Sequence, residues 1–323
     1  MWVYGKSMKT VRLKIRNKES LGKYLKYNYV LYLMSIPGLL YVLIYKFVPY
    51  IGLSLAFKDF NMFAGKNLFD SLLKSPFVGF KYFEALFSGD TFWNLLGNTL
   101  AISLYKLVFL FPLPIIIALL LNEVRAASLK KSVQTIIYLP HFLSWVVISG
   151  VFFTLLSSTG VVNTFLSKIG LKEINFLTNP STFRTLLVFT EGWKETGWSC
   201  VVYISALTAI DSCLYEAAEI DGANKLQRML HVSLPGMIPI IMMMLMLKIG
   251  NILQAGTDQI LVMYNPAVYS TGDVLQTYIY RVGLGQMDFS TATALGLFES
   301  VVGFILLVVA NAFSRKFFNR SLW

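Results

Sequence analysis

Charge is scarce in this sequence. Only 14% of its 323 residues are Asp, Glu, Lys or Arg, about half the share of a domain that lives in water, and the mean hydropathy is +0.62. Such a composition nearly excludes a water-soluble enzyme and excludes disorder, which needs a polar, charged chain. Cysteine and histidine are scarcer still, with two of each. Cys200 and Cys213 are too few for a disulfide framework. His141 and His231 stand far apart, without H-E-x-x-H or Cys/His spacing, so no metal site is expected. No G-x-x-x-x-G-K-[ST] segment exists to cradle a nucleotide's phosphates, and Gly283-Leu284-Gly285 lacks the third glycine and the preceding strand of a dinucleotide fingerprint. Without a catalytic constellation, no enzyme activity and no bound cofactor are expected of this chain by itself.

Apolar residues are abundant instead, at 56%. A crossing of the roughly 30 Å hydrocarbon core needs about 20 of them in a row. Six stretches qualify: Val30–Val48, Leu95–Leu121, Thr135–Leu156, Thr185–Ile210, Pro235–Leu253 and Thr293–Phe313. Each predicts a helix, because a lone spanning segment must satisfy its own backbone hydrogen bonds, and the alternating pattern of a membrane barrel is absent. Pro37, Pro112 and Pro114 predict kinks inside spans. The expected fold is an all-α integral membrane protein with about six transmembrane helices.

The surplus of 28 Lys+Arg over 17 Asp+Glu is first a question of sidedness. With the N-terminus inside, 16 basic residues fall on the cytoplasmic side and 8 outside, a bias that supports an N-in, C-in topology. Orientation accounts for the net charge, so no nucleic-acid partner is expected. The arm carrying Lys6, Lys9, Arg12, Lys14, Arg16, Lys18, Lys23 and Lys26 resembles a signal-peptide start, with Ser54-Leu55-Ala56 as a faint cleavage site, but the apolar run between them is too long. It reads as an uncleaved first span whose basic arm rests near anionic headgroups. The chain thus divides into a basic cytoplasmic arm (1–28), a membrane domain (29–313) and a cytoplasmic tail (314–323). The lipid bilayer is its first partner.

One cytoplasmic loop breaks the charge rule. Residues 211–234 hold Asp211, Glu216, Glu219 and Asp221 against Lys225 and Arg228. The run Glu216-Ala217-Ala218-Glu219-Ile220-Asp221-Gly222-Ala223-Asn224 predicts an Ala-rich helix with acids in its first turn, where the macrodipole favours them. Gly222 predicts a turn, and a second short helix follows, with Pro235 opening the next span as an N1 proline. An interfacial helix facing lipid would favour basic residues; four acids favour docking into a protein groove that offers Arg or Lys.

This stretch resembles the EAA loop of permease subunits of binding-protein-dependent ABC importers, whose pattern E-A-A-x-x-D-G-A, a spacer, then L-P, holds at Glu216, Ala217, Ala218, Asp221, Gly222, Ala223, Leu234 and Pro235. Met229 stands where an aromatic is usual and Val232 where Ile is usual. Tyr32-Leu33-Met34-Ser35-Ile36-Pro37-Gly38, Ala56-Phe57-Lys58-Asp59-Phe60, Leu121-Asn122-Glu123, Tyr138-Leu139-Pro140-His141-Phe142-Leu143-Ser144-Trp145 and Tyr264-Asn265-Pro266-Ala267-Val268-Tyr269 look like the sugar-importer branch, closest to permeases for complex oligosaccharides, including plant polysaccharide fragments and alginate. The resemblance implies a multi-pass protein of the bacterial cytoplasmic (inner) membrane. Its implied partners are a second, related permease, two cytoplasmic ATPase subunits that carry ATP and Mg, and an extracytoplasmic solute-binding protein. The implied cargo is a carbohydrate, moved by alternating access. The ATPase-coupling residues it implies are Glu216, Ala217, Ala218, Asp221, Gly222, Ala223, Met229, Leu234 and Pro235, acting as a lever on spans four and five.

A translocation path must be polar. Lys46, Lys106, Glu191, Lys194, Glu195, Lys248 and Glu299 would together cost about 20 kcal/mol if all faced lipid at mid-depth, so some must face one another or a path. Span four gathers Glu191, Trp193, Lys194 and Trp198 beside two glycines. Glu191 and Lys194 are spaced to neutralise one another, and the tryptophans either offer stacking faces to sugar rings or belong to the interfacial aromatic belt. Lys248 and Asn251 give span five a similar stripe. A basic path would favour uronic-acid oligosaccharides; lysines paired with glutamates would leave neutral sugars equally suited. The alternatives are an importer of a non-sugar solute, such as a peptide, and a secondary transporter, for which only one interrupted span and no matching half is visible.

Overall fold

The computed structural model describes residues 26–318; the basic arm before Lys26 and the last five residues of the tail lie outside them. Helices account for nearly all of the described residues, and β-structure among them is limited to an isolated antiparallel bridge between Lys58 and Phe77. The chain divides into two compact units at Ser54. In the first, α1 (Tyr29–Val42) continues through a π-helical turn at Leu43–Phe47 into a 3-10 stretch, Val48–Phe57, whose last three residues belong to the second unit. The path of 29 residues is apolar enough to cross a bilayer and keeps its helical course through Pro37.

The second unit holds α2 (Leu68–Lys74), α3 (Lys81–Ser88), α4 (Asp90–Leu110), α5 (Pro112–Asn122), α6 (Ala127–Tyr138), α7 (Trp145–Leu156), α8 (Val161–Lys168), α9 (Pro180–Thr208), α10 (Ser212–Ile220), α11 (Lys225–Arg228), α12 (Leu234–Gly250), α13 (Thr257–Met263), α14 (Tyr269–Gly272), α15 (Leu275–Tyr280) and α16 (Phe289–Phe318). Four continuous paths here suit a bilayer: Asp90–Asn122, Trp145–Lys168, Lys225–Gly250 and Phe289–Lys316. The 29-residue α9 reaches about 43 Å at 1.5 Å per residue. The charges in its middle let it pass as a span only together with α10, from which it is bent by 73°.

Two expectations are corrected. The third span is not one helix over Thr135–Leu156. Pro140 has no N–H to continue α6, the chain tightens into a 3-10 turn at Leu139–Phe142, Leu143 turns extended, and Ser144 starts α7 afresh by accepting the Val147 N–H. Pro112 and Pro114 follow a one-residue interruption of the helix at Phe111, inside the continuous path Asp90–Asn122, where their missing N–H groups are expected to disturb it. Pro235 does not open a span: the helical path runs from Lys225 to Gly250 without interruption. Met229–Ser233 widens into a π turn just before the proline, which relieves the crowding its ring would impose on the preceding turn.

At the centre is α9, packed against α4, α5, α6, α12 and α14. Gly197 makes its close approach to α6 possible, since a Cβ there would collide with the backbone carbonyl of Ile137. Phe183, Leu186 and Leu187 at one end of α9 join Ile102, Ile260 and Met263 in a core cluster; Tyr203 and Leu207 at the other end join Ala118, Leu119 and Met237. Alternating faces of one long helix thereby hold both ends of the unit.

Candidate functional site

The acidic loop folds as a helix–turn–helix. Asp211 caps α10 by accepting the Cys213 N–H at 2.9 Å. The first turn holds no acid, contrary to the expectation; Glu216 and Glu219 lie in the later turns, where the macrodipole does not favour them. The helix ends in a Schellman motif: the Ala223 N–H returns to the Ala218 carbonyl at 2.9 Å and the Gly222 N–H to that of Glu219 at 3.1 Å. Gly222 adopts φ +75°, the left-handed conformation that this motif demands. Asn224 then opens α11 with a capping box, exchanging bonds with Gln227 at 2.8 and 3.0 Å. The Ala-Ala-x-x-Asp-Gly-Ala-Asn run is thus a stop signal followed by a start signal, which fixes the angle of the hairpin.

Glu216, Ala217, Asp221 and Gly222 are exposed, beside Leu214, Leu226 and the nearly fully exposed Ile220 (86%). Ala218 and Ala223 are half-buried. Met229 and Leu234 point inward, packed on the cluster of Ala118, Leu119, Tyr203, Leu207 and Met237. Met229 is therefore the foot of the hairpin rather than part of its outer face. Two further contacts fasten that foot. The Tyr215 hydroxyl shares a 2.8 Å bond with Ser233. The Arg228 guanidinium reaches Glu123, just past α5, at 3.6 Å and Glu219 at 3.5 Å. Nothing in the spacing of the chain pairs Arg228 with Glu123, which lie 105 positions apart.

The charges of span four are partnered differently from the expectation. Glu191 and Lys194 do not neutralise one another. Glu191 pairs at 2.5 Å with Lys106 of α4, which also donates to the Ala255 carbonyl and to Gln259 Oε1, each at 2.7 Å. Gln259 in turn donates to the Leu187 carbonyl and to Thr190. Ala255 and Gly256 take left-handed φ values of +51° and +78° in this knot. A Cβ on Gly256 would stand 2.5 Å from Lys106 Nζ and 2.9 Å from Glu191 Oε2, so glycine alone fits. The buried pair ties α4, α9 and the exit of α12 to one point.

Lys194 pairs instead with Glu195 at 2.9 Å, donates to the His141 carbonyl at 2.8 Å and lies 5.4 Å over the Trp145 ring. Glu195 also holds His141 Nδ1 at 2.8 Å, and the imidazole stacks flat on Trp198 with centroids 4.5 Å apart. The break at 139–144 is thus what delivers His141 and Trp145 to span four. Trp193 packs edge-on against Phe152 and is half exposed.

Of the residues expected on the path, Glu191, Lys248 and Asn251 line one cavity, of about 120 Å³, together with Lys106, Glu195 and Ser199. Lys194 lines a separate cavity with Trp145, Asp258 and Tyr264, and Trp193 and Trp198 line neither. Among the described residues Lys248 makes no ion pair; it stands in this cavity beside Glu191 and Glu195, and lines a neighbouring one of about 370 Å³ with the same two glutamates and Asp258.

Residues 110–319 match the family described as binding-protein-dependent transport system inner membrane component. The polygalacturonan/rhamnogalacturonan transport system permease protein YteP of Bacillus subtilis is 42% identical over 96% of this chain and 95% of its own length. Protein LplB of the same organism is 43% identical over 93% and 92%. Among solved structures, a bacterial ABC transporter involved in the import of the acidic polysaccharide alginate contains a chain that is 41% identical, with a TM-score of 0.85 over 93% of this chain and 99% of that one. In a second structure, the bacterial alginate transporter in complex with alginate pentasaccharide-bound periplasmic protein, the values are 40% and 0.85 over 94% and 100%.

Proposed function

The chain belongs to the family of binding-protein-dependent transport system inner membrane components, and we propose that it conducts an oligosaccharide, uronate-containing, across the bacterial cytoplasmic membrane as one of two paired permeases. Of two ATPase subunits holding ATP and Mg, one grips the 211–234 hairpin and the other the partner permease, and a solute-binding protein delivers the cargo from outside. The observation that carries the mechanism is the uninterrupted helical path from Lys225 to Gly250. It joins the exposed hairpin at one end to Lys248 and Asn251 at the cavity. When the ATPases close, the hairpin turns as a rigid piece, because the Schellman motif and capping box leave it no hinge, and α12 carries the motion to the cavity wall. Hydrolysis reverses it.

Charge selection is supported by a count of partners. Lys106 and Lys194 are offset by Glu191 and Glu195, and Lys248 is not. A carboxylate entering the cavity meets the ammonium of Lys248, which makes no ion pair among the described residues, beside Glu191 and Glu195, which are held by Lys106 and Lys194; relatives are named for acidic polysaccharides. The test is uptake by the complete reconstituted importer. Uronate oligomers should stimulate ATP hydrolysis and enter the vesicles, and Lys248→Gln should cut uronate uptake by roughly tenfold, the worth of one charge-assisted hydrogen bond, while a neutral oligomer enters as before. Transport of neutral oligomers alone would remove the uronate assignment, and transport of neither would remove the carbohydrate.

A further inference from the structure

Asn251 stands in the walls of two cavities. Across it from the lysine-bearing one lies a second, of about 310 Å³, between α12, α15 and α16, lined by Gln254, Gln276, Gly296, Glu299, Ser300 and Gly303. Its size is at the lower end of small-molecule sites. Glu299 is 7% exposed, in the middle of a membrane-spanning helix. One of its oxygens accepts from Gln276 Nε2 at 2.6 Å, and among the described residues it makes no ion pair. A carboxylate can accept about four hydrogen bonds, and burying one with a single donor is costly. Leucine at 299 would be cheaper for a wall that only faced lipid. An ionisable group placed so deep points to a ligand.

The surroundings say which kind. Three carboxamides, Asn251, Gln254 and Gln276, and the Ser300 hydroxyl share the cavity with one carboxylate, and no lysine or arginine lines it. That set accepts and donates to hydroxyl groups and repels an anion. Space is kept by glycine: a Cβ at 296 would meet nothing within 4 Å, and Gly303 lies against the Gly250 carbonyl. We infer that this cavity is a second saccharide subsite, one that takes an uncharged, hydroxyl-rich ring, set beside the lysine-bearing cavity and sharing Asn251 with it. The inference rests on the carbohydrate reading above. The two neighbouring sites then favour a cargo in which acidic and neutral sugar residues are both present.

The test uses the complete importer in vesicles with one binding protein and two oligomers of equal length, one all-uronate and one mixed uronate and neutral. Comparing the ratio of their uptake efficiencies between wild type and variant cancels the binding protein's own preference. Glu299→Gln should lower uptake of the mixed oligomer roughly tenfold relative to the all-uronate one. Gly296→Leu, which fills the cavity and leaves Glu299 in place, should shift the ratio the same way and carries the test if the first variant does not assemble. An unchanged ratio, or an equal loss for both oligomers, overturns the subsite. A wild-type complex that moves neither oligomer overturns the carbohydrate reading instead, which is a separate failure.

Discussion

Arg228 answers two carboxylates from a nearly buried position, Glu123 and Glu219, with its Nε enclosed and without a hydrogen-bond partner. Breaking a fully buried pair costs about 3–5 kcal/mol. These contacts are long and Glu219 is largely in water, so Arg228→Ala should cost about 2 kcal/mol, read as a lower unfolding temperature of the purified complex. Arg228→Lys should recover only part of it, because a compact ammonium cannot fork between two acids; an unchanged midpoint for the alanine variant would show that the arginine ties nothing. Gly197→Ala is the harsher change. The obstacle is the Ile137 backbone rather than a side chain that can rotate away, and overpacking of this kind costs at least about 2 kcal/mol. The variant should reach the membrane in much reduced amount. Asp59 offers a pH test. Tyr82 donates to it at 2.8 Å and Lys81 at 3.1 Å, and these bonds hold its carboxyl below the usual range. Burial, with the Asp59 bond second, pushes the Tyr82 phenol up to about 12. A depressed carboxylate adds stability that is in place above its unfolded pKa of about 3.9 and is lost as pH falls through the lower folded value. Asp59→Asn should therefore speed proteolysis of the 58–94 segment at pH 7 and change nothing at pH 2.

Elements divide by how local their causes are. The existence of most spans was legible in hydropathy, because crossing a bilayer is a demand that about twenty consecutive residues answer together, but not their bounds: the third is displaced to Trp145–Lys168 and the fifth path starts at Lys225. The hairpin was legible in Gly222 and Pro235, although its first turn holds no acid and the proline lies inside a continuous helix. The break at Pro140 was not anticipated, since an apolar run hides the loss of one N–H. Pairing was the least legible. Glu191 and Lys194 are helical neighbours, and nothing in their spacing shows that Lys106, far back in the chain, and Glu195 compete for them. Glu216→Lys belongs to this scale. It replaces an exposed acid on α10 and touches no buried contact, so the variant should insert normally and lose the co-purifying ATPase; a full complement of ATPase would remove Glu216 from the grip.

At the scale of the whole molecule, an inner membrane component of a binding-protein-dependent transport system is proposed to act through what holds its exposed hairpin. The central claim is that a separate ATPase holds the acidic hairpin, and the native cysteines suit its test: Cys213 is exposed on α10 and Cys200 is buried in α9. A maleimide-benzophenone probe will therefore label the hairpin alone. Illumination of the assembled importer should covalently join this chain to the ATPase subunit, with a yield that changes when ATP is bound. Capture of lipid or of no protein would contradict the account.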